Sequence, residues 1–348
     1  MTAMMTRVED ILGTDPVGSD DGEAIGRSRA GRTIRAFVVG EGPRRISLLA
    51  GCHADEPVGP RLLRHLAAYL GALNPDAELI RRYRWWIIPH LNPDGELCNR
   101  AWYSDGDAGY DLGRYLAQVV REAPGDDIEF GFPRDADDTQ ARPENLAASA
   151  WWHSAGAPFA LHVTLHGMGF AAGPWYLVEP SWRDRIGSLE AVCRGQVAEL
   201  GYRLHDVERN GEKGFVRLSR GFCTRPDSGA MRRYFLDRDD PDTAALFRPS
   251  SMETMRSLGG DPLTLVSEMP LFILPGVGED LGPPDPVAVR WRHRIEEWRA
   301  AARGGGEAAR AEVAAAAAGS GLTAMPVADQ MALQWGLIVG GLSAVAER

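Results

Sequence analysis

Short apolar runs recur along the first 270 or so residues, separated by polar turns and by longer stretches with helical spacing. Ile46-Ser47-Leu48-Leu49-Ala50 is one such run and predicts a buried strand. Downstream, Leu62, Leu63, Leu66, Ala67 and Leu70 repeat at helical intervals within Val58 to Leu73, and Tyr83 to Pro89 is apolar again. Strand, helix and strand in that succession form the unit of a sheet with helices on its faces. Thr33 to Val39 alternates, and the short turn from Gly40 to Arg44 predicts that it pairs antiparallel with the next strand, so the sheet is expected to be mixed. Phe159 to Leu165, ending at His166-Gly167, Trp175 to Val178, and Leu263 to Glu268 are further strands. Helices are expected over Glu144 to Trp152 and Arg183 to Leu200.

Other stretches lack a clear period. His90 to Gly95 reads as a turn, and the chain from there to about Pro143 is rich in Gly, Asp and Pro, with one short helix near Tyr115 to Glu122. Ordered loops of that length usually carry function. The stretch 210–257 is irregular and dense in arginine. Beyond Pro284 the texture changes: Val287 to Arg303, Glu307 to Ala318 and Ala328 to Glu347 are helical in pattern, with glycines at the breaks. The division expected is a main domain over 1–282 and a C-terminal helical extension over 283–348. That extension could cover the mouth of a site, form a dimer surface or pack on the sheet.

Composition narrows the function. A chain of 348 residues can bury one large core or two ordinary ones. The formal charge of -10 argues against a nucleic-acid surface, which needs a basic patch. Lys213 is the only lysine, so any anion-binding group is expected to be an arginine. Met1 to Asp15 is too charged for a signal peptide, and Met331 to Ala346, the most apolar stretch, is interrupted by Gln334, Ser343 and glycines and reads as a packed helix. Cys52, Cys98, Cys193 and Cys223 are scattered, which fits a reducing cytoplasm and no disulfide framework. Cys52, at the end of a buried strand, reads as a packed core thiol.

The candidate chemistry collects at strand ends. His53 and Glu56 lie between a strand and a helix, and Pro57 biases Glu56 away from helical angles, which keeps the pair in the turn. Ligands of open α/β sheets bind in the crevice at such ends. His166 and Glu268 end two more strands. Two histidines, a carboxylate ligand and a second carboxylate are the parts of a hydrolytic zinc site. His162, four residues before His166, shares its strand face and is the rival ligand, although its mid-strand position suits a satisfied core histidine. His90 also ends a strand and is an outside candidate.

Ser28 to Gly31 before a strand, His53-x-x-Glu56, Asn92-Pro93-Asp94-Gly95, Asp111-Leu112-Gly113-Arg114, His166 after a strand, and Glu268 before Pro270 come in one order. In that order the chain, from about Ile25 to Pro270, resembles the zinc carboxypeptidases related to carboxypeptidases A and B. The resemblance implies a three-layer α/β/α sandwich with a mixed, mainly parallel sheet of about eight strands, and a catalytic domain over 1–282. It implies one Zn2+ per chain held by His53, Glu56 and His166, with Glu268 as the base that deprotonates water. Arg100 would stabilise the oxyanion and Arg114 would grip a substrate carboxylate.

This chain departs from the pattern at Gly113, where the family usually has an asparagine, and at Tyr115-Leu116. Arg217, Arg225, Arg232 or Arg233 could supplement carboxylate binding. Tyr234 is the candidate for the family's mobile tyrosine, and Glu253 for a specificity pocket that would favour a basic residue. The expected activity is that of a cytoplasmic metallocarboxypeptidase or peptide amidase that cuts a terminal amide bond of a short peptide. The alternatives are an N-acyl amino acid deacylase of the aspartoacylase and succinylglutamate desuccinylase type, and a catalytically silent relative kept for binding. No nucleic-acid or membrane partner is expected, and the oligomeric state is left open.

Overall fold

The turn from Gly40 to Arg44 does not close a hairpin. In this computed structural model, which describes residues 6–103, 109–123, 125–206, 208–209, 211–278 and 285–346, strand β4 (Tyr83–Ile88) slots between β2 (Thr33–Val39) and β3 (Arg44–Ala50). It runs antiparallel to β2 and parallel to β3. The backbone N–H groups of Glu41 and Gly42 donate to the carbonyls of Ile80 and Tyr83, so the turn spends its donors on the approach to β4. The sheet is mixed as expected, with a different neighbour.

The remaining strands are β1 (Glu23–Arg27), β5 (Leu161–Ala171), β6 (Trp175–Val178), β7 (Arg217–Ser219), β8 (Phe222–Thr224), β9 (Leu263–Ile273) and β10 (Thr323–Ala324). They order as β1-β2-β4-β3-β5-β9-β6-β8-β7, with β10 beside β9. The four central strands β4, β3, β5 and β9 are mutually parallel. The sheet has ten strands where the resemblance implied about eight, and β1, β7, β8 and β10 are the ones the sequence pattern did not mark. Alternate residues feed two cores. Ile46 and Leu48 face the helix Val58–Ala72, whereas Leu49 joins Trp86, Ile88 and Trp152 on the opposite face, under the helix Pro143–His153. The α/β architecture with helices on both faces is therefore the one expected.

Two strands run further than their sequence pattern indicated. The β5–β9 pairing passes through His166 opposite Glu268 and continues to Ala171 opposite Ile273. Neither residue ends its own strand. β3, however, stops at Ala50, opposite Leu165. His166 thus lies one residue past the end of its neighbour, and the crevice opens there. Another correction concerns His90 to Gly95: Asn92 is the N-cap of a short helix, Pro93–Asn99, and accepts from the Gly95 N–H at 3.0 Å. Pro93 at its first position needs no donor.

The expected domain boundary at 282/283 lies outside the described residues. The helix Val327–Ala346 buries 17 of its 20 residues in the same core as the helix Val58–Ala72. A Cβ at Gly341 would come within 2.9 Å of Leu161 and Leu265, so the missing side chain lets this helix lie close on β5 and β9. The helices Pro286–Gly304 and Gly306–Gly319 pack instead on the helix Leu112–Gln118.

Candidate metal centre

The loop from Gly51 to Pro57 is held from several sides by side chains further along the chain, Asn92 of the Asn92 to Gly95 motif among them. Asn92 donates from its backbone to the Gly51 carbonyl and from its side chain to Cys52 O and to Glu122. Asn99 and Tyr103 both donate to the Ala54 carbonyl, and Glu122 accepts from the Ala54 N–H. Asp94 accepts from the Ser28 hydroxyl, the Ala30 N–H and Arg32, at 2.7, 2.8 and 2.7 Å. Ser28 to Gly31 and Asn92 to Gly95 are thus one hydrogen-bonded unit behind the loop. Those contacts hold the Asp94 carboxyl below its usual range, against the opposing effect of partial burial.

On this scaffold His53, Glu56 and His166 meet. Glu56 sets one oxygen 2.7 Å from His53 Nδ1 and the other 3.0 Å from His166 Nδ1. The two Nδ1 atoms are 3.1 Å apart. Four-coordinate zinc with ligand distances of about 2.0–2.1 Å would separate its ligand atoms by roughly 3.3 Å. The Glu56 oxygen beside His166 is buried with no hydrogen bond, although close in distance. Three ligand atoms this close, one of them orphaned, suit a shared cation. The donor set of two imidazoles and a carboxylate suits zinc. Each histidine also has a carboxylate at its far nitrogen: Asp127 lies 3.2 Å from His53 Nε2, and Glu129 3.4 Å from His166 Nε2. Such partners orient metal-bound imidazoles and raise their basicity.

The electrostatics carry an excess of negative charge. Burial would depress His53, but Glu56 and Asp127 overcome it and raise its pKa well above the usual value. His166 is raised to about 10 against the same opposing burial, by Glu56 and Glu129. Glu56 is pulled below its ordinary value by the two histidines despite its burial. Glu268 moves the other way, to about 7, chiefly because it is desolvated, with nearby Glu56 adding to the rise against the opposing charge of His166. A carboxyl with that affinity can exchange a proton near neutrality. Cys52, Glu129 and His166 form a second set of close ligand atoms, entirely buried, in which desolvation pushes the Cys52 thiol well up. His53, Glu56 and His166 are the more accessible set.

The sequence-derived candidates divide. His53, Glu56, His166 and Glu268 come together. His162 is hydrogen-bonded at both nitrogens, to Ser47 and Ser251. His90 is buried beside Glu96 and depressed to about 4, chiefly by desolvation. Arg100 is exposed at the end of the helix Pro93–Asn99, where Glu96 feels its charge. Arg114 is exposed on the helix Leu112–Gln118. The Tyr234 ring is covered by Arg238, at 3.6 Å from its centroid. None of these three is among the described partners of the four. Arg217 pairs with Asp206, and Glu253 holds Ser228 and Ser250.

Asp127, Glu129 and Arg121 are the residues the sequence reading missed. Buried Arg225, named there only as a possible carboxylate ligand, pairs with Glu129 and Ser251. Arg121 reaches Asp55 at 2.8 Å, and its charge acts on Glu56 and Glu268. The one signal for Asp127 and Glu129 was the acidic, glycine-led run Gly125 to Glu129.

A family model described as zinc carboxypeptidase matches residues 22–214. Mouse carboxypeptidase M is 32% identical over 165 residues, which are 43% of this chain and 34% of that protein. Carboxypeptidase D of Drosophila melanogaster is 28% identical over 157 residues, 41% of this chain and 11% of its own length. The chain therefore spans about a third or less of these relatives. Among solved structures, a metallo-carboxypeptidase from Burkholderia cenocepacia is 12% identical with a TM-score of 0.47, covering 100% of this chain and 69% of that one. Carboxypeptidase A from Helicoverpa armigera is 14% identical with a TM-score of 0.43, covering 90% and 71%.

Proposed function

The chain belongs to the zinc carboxypeptidase family, and from that premise we propose that it hydrolyses a terminal amide bond of a short peptide. In this reading His53, Glu56 and His166 hold the zinc and Glu268 is the general base. The observation that carries it is the convergence of both Nδ1 atoms on the two oxygens of Glu56, within 2.7–3.1 Å, with Glu268 opposite His166 in the neighbouring strand. Zinc, when bound, supplies a Lewis acid that makes water acidic near neutral pH.

The protein's own groups do the rest. Glu268 takes a proton from the attacking water and delivers it to the leaving nitrogen. Asp127 and Glu129 fix the imidazole rings from behind. Arg121, whose charge reaches Glu56 and Glu268, stabilises the negative charge that develops on the carbonyl oxygen. That role, expected of Arg100, goes to Arg121 because the charge of Arg121 acts on Glu56 and Glu268, whereas that of Arg100 is felt by Glu96.

The test joins metal content to turnover. Wild type should carry one zinc per chain, and Glu56→Ala should carry none. Glu268→Gln should keep its zinc and lose about 10²–10⁴-fold in kcat on a panel of acetylated short peptides. Full turnover by Glu268→Gln, or a wild-type chain that takes up no zinc when it is supplied, would sink the reading.

A further inference from the structure

His166 presents its two nitrogens to two different groups. Nδ1 faces Glu56 at 3.0 Å and His53 at 3.1 Å, whereas Nε2 faces Glu129 at 3.4 Å. On the Glu129 side, Cys52, Glu129 and His166 offer a sulfur, an oxygen and a nitrogen within 4.8 Å of one another. All three residues are buried, with exposures of 1%, 8% and 3%. With sulfur at about 2.3 Å and nitrogen at about 2.0–2.1 Å, the ligand atoms of one tetrahedral ion sit roughly 3.6 Å apart. Side-chain shifts of about an ångström close this inner set around such an ion.

Glu129 is held so that one oxygen is left over. Arg225 and Ser251 both bond to its Oε1, which fixes the carboxylate and leaves Oε2 beside His166. Oε2 is buried without a hydrogen bond. An unpaired buried carboxylate oxygen costs free energy, and a cation beside it removes that cost. The two sets also differ in kind. Only the inner one contains sulfur, and thiolate ligands select soft ions, whereas the two imidazoles and carboxylate of the outer set suit zinc.

Sharing of His166 couples the sets. A neutral imidazole has one ring hydrogen and one lone pair to offer. An ion on Nδ1 leaves the hydrogen on Nε2, beside Glu129, and an ion on Nε2 leaves it on Nδ1, beside Glu56. The neutral ring therefore serves one ion at a time.

We propose that Cys52, Glu129 and His166 form a second metal site, for a soft, thiophilic cation, which is filled in place of the outer zinc and not beside it. The Cys52 S–H bond breaks as the sulfur–metal bond forms, and the proton leaves to solvent, with no change of oxidation state. The inner site stands apart from the peptidase reading, whereas its exchange with zinc rests on the outer ligands of that reading.

Cadmium is the probe, because a cadmium–thiolate bond has an ultraviolet charge-transfer band that imidazole and carboxylate ligands do not give. The protein carries Cys98→Ser, which removes the exposed cysteine. Metal-free protein titrated with Cd2+ should develop the band up to one ion per chain. Zinc-loaded protein should release its zinc one for one as the band grows. Cys52→Ala should abolish the band, and Glu56→Ala, which breaks only the outer set, should keep it. Glu129→Gln, which leaves the thiol in place, should weaken the band-forming site by at least about tenfold. Thermal unfolding of each variant checks the fold, and Glu129→Gln decides if Cys52→Ala does not fold. Cadmium bound without the band, a band that survives Cys52→Ala, undiminished affinity in Glu129→Gln, or zinc retained beside cadmium would each overturn the proposal. A chain that shows the band but takes up no zinc would sink the peptidase reading and leave the inner site standing.

Discussion

In the proposed zinc site, Asp127 shows how much lies behind the ligands. Its oxygen is 3.2 Å from His53 Nε2 and also accepts the Glu129 N–H at 2.8 Å, so it steadies the ring and the backbone that carries the next carboxylate. Removing it leaves His53, Glu56 and His166 in place but frees the His53 ring. Asp127→Ala should therefore weaken zinc binding by about 10–100-fold, read by competition with a chelator. An unchanged affinity would mean that Asp127 only decorates the loop. His53 and Glu56 were legible because three intervals in sequence, between a strand and a helix, already bring two ligands together. Asp127 and Glu129 were not, because in an aperiodic loop nothing local says which carboxylates turn inward.

At the scale of elements, the interval from Asp111 to Arg114 shows a motif that serves as a helix cap and a packing contact. Asp111 caps the helix Leu112–Gln118 by accepting the Arg114 N–H at 2.7 Å, while Gly113 admits the helix Gly306–Gly319. Gly113→Asn restores the family's usual residue and should nonetheless destabilise this chain by about 1–3 kcal/mol, the usual cost of overpacking. A lowered denaturant midpoint with an unchanged slope would register it. A neutral substitution would show that the helix does not press on Gly113. The same element shows what local spacing does not report: the Arg310 backbone packed against Gly113, beside which Arg114 is exposed.

For the whole molecule, the helix Val327–Ala346 matters most. It was legible as a packed helix, and the structure sets it under the strands that carry His166 and Glu268, with Gln334 reaching toward the His166 carbonyl at 3.5 Å. A chain ended at Pro326 should lose cooperative unfolding and zinc binding together, because the apolar faces of β5 and β9 would be bared to water. Retention of both, followed by circular dichroism and metal content, would make residues 327–348 a dispensable extension. By itself the sequence determined the elements with a strong period and the α/β class, and it singled out His53, Glu56, His166 and Glu268 as candidates, since these follow from local alternation and from residue types beside apolar runs. Only the tertiary structure decided that β4 enters between β2 and β3, that β5 and β9 run on past His166 and Glu268, and which carboxylates stand behind the two histidines. Each of those depends on contacts between segments far apart in the chain, where hydrogen-bond donors and close packing, not local periodicity, select the neighbour.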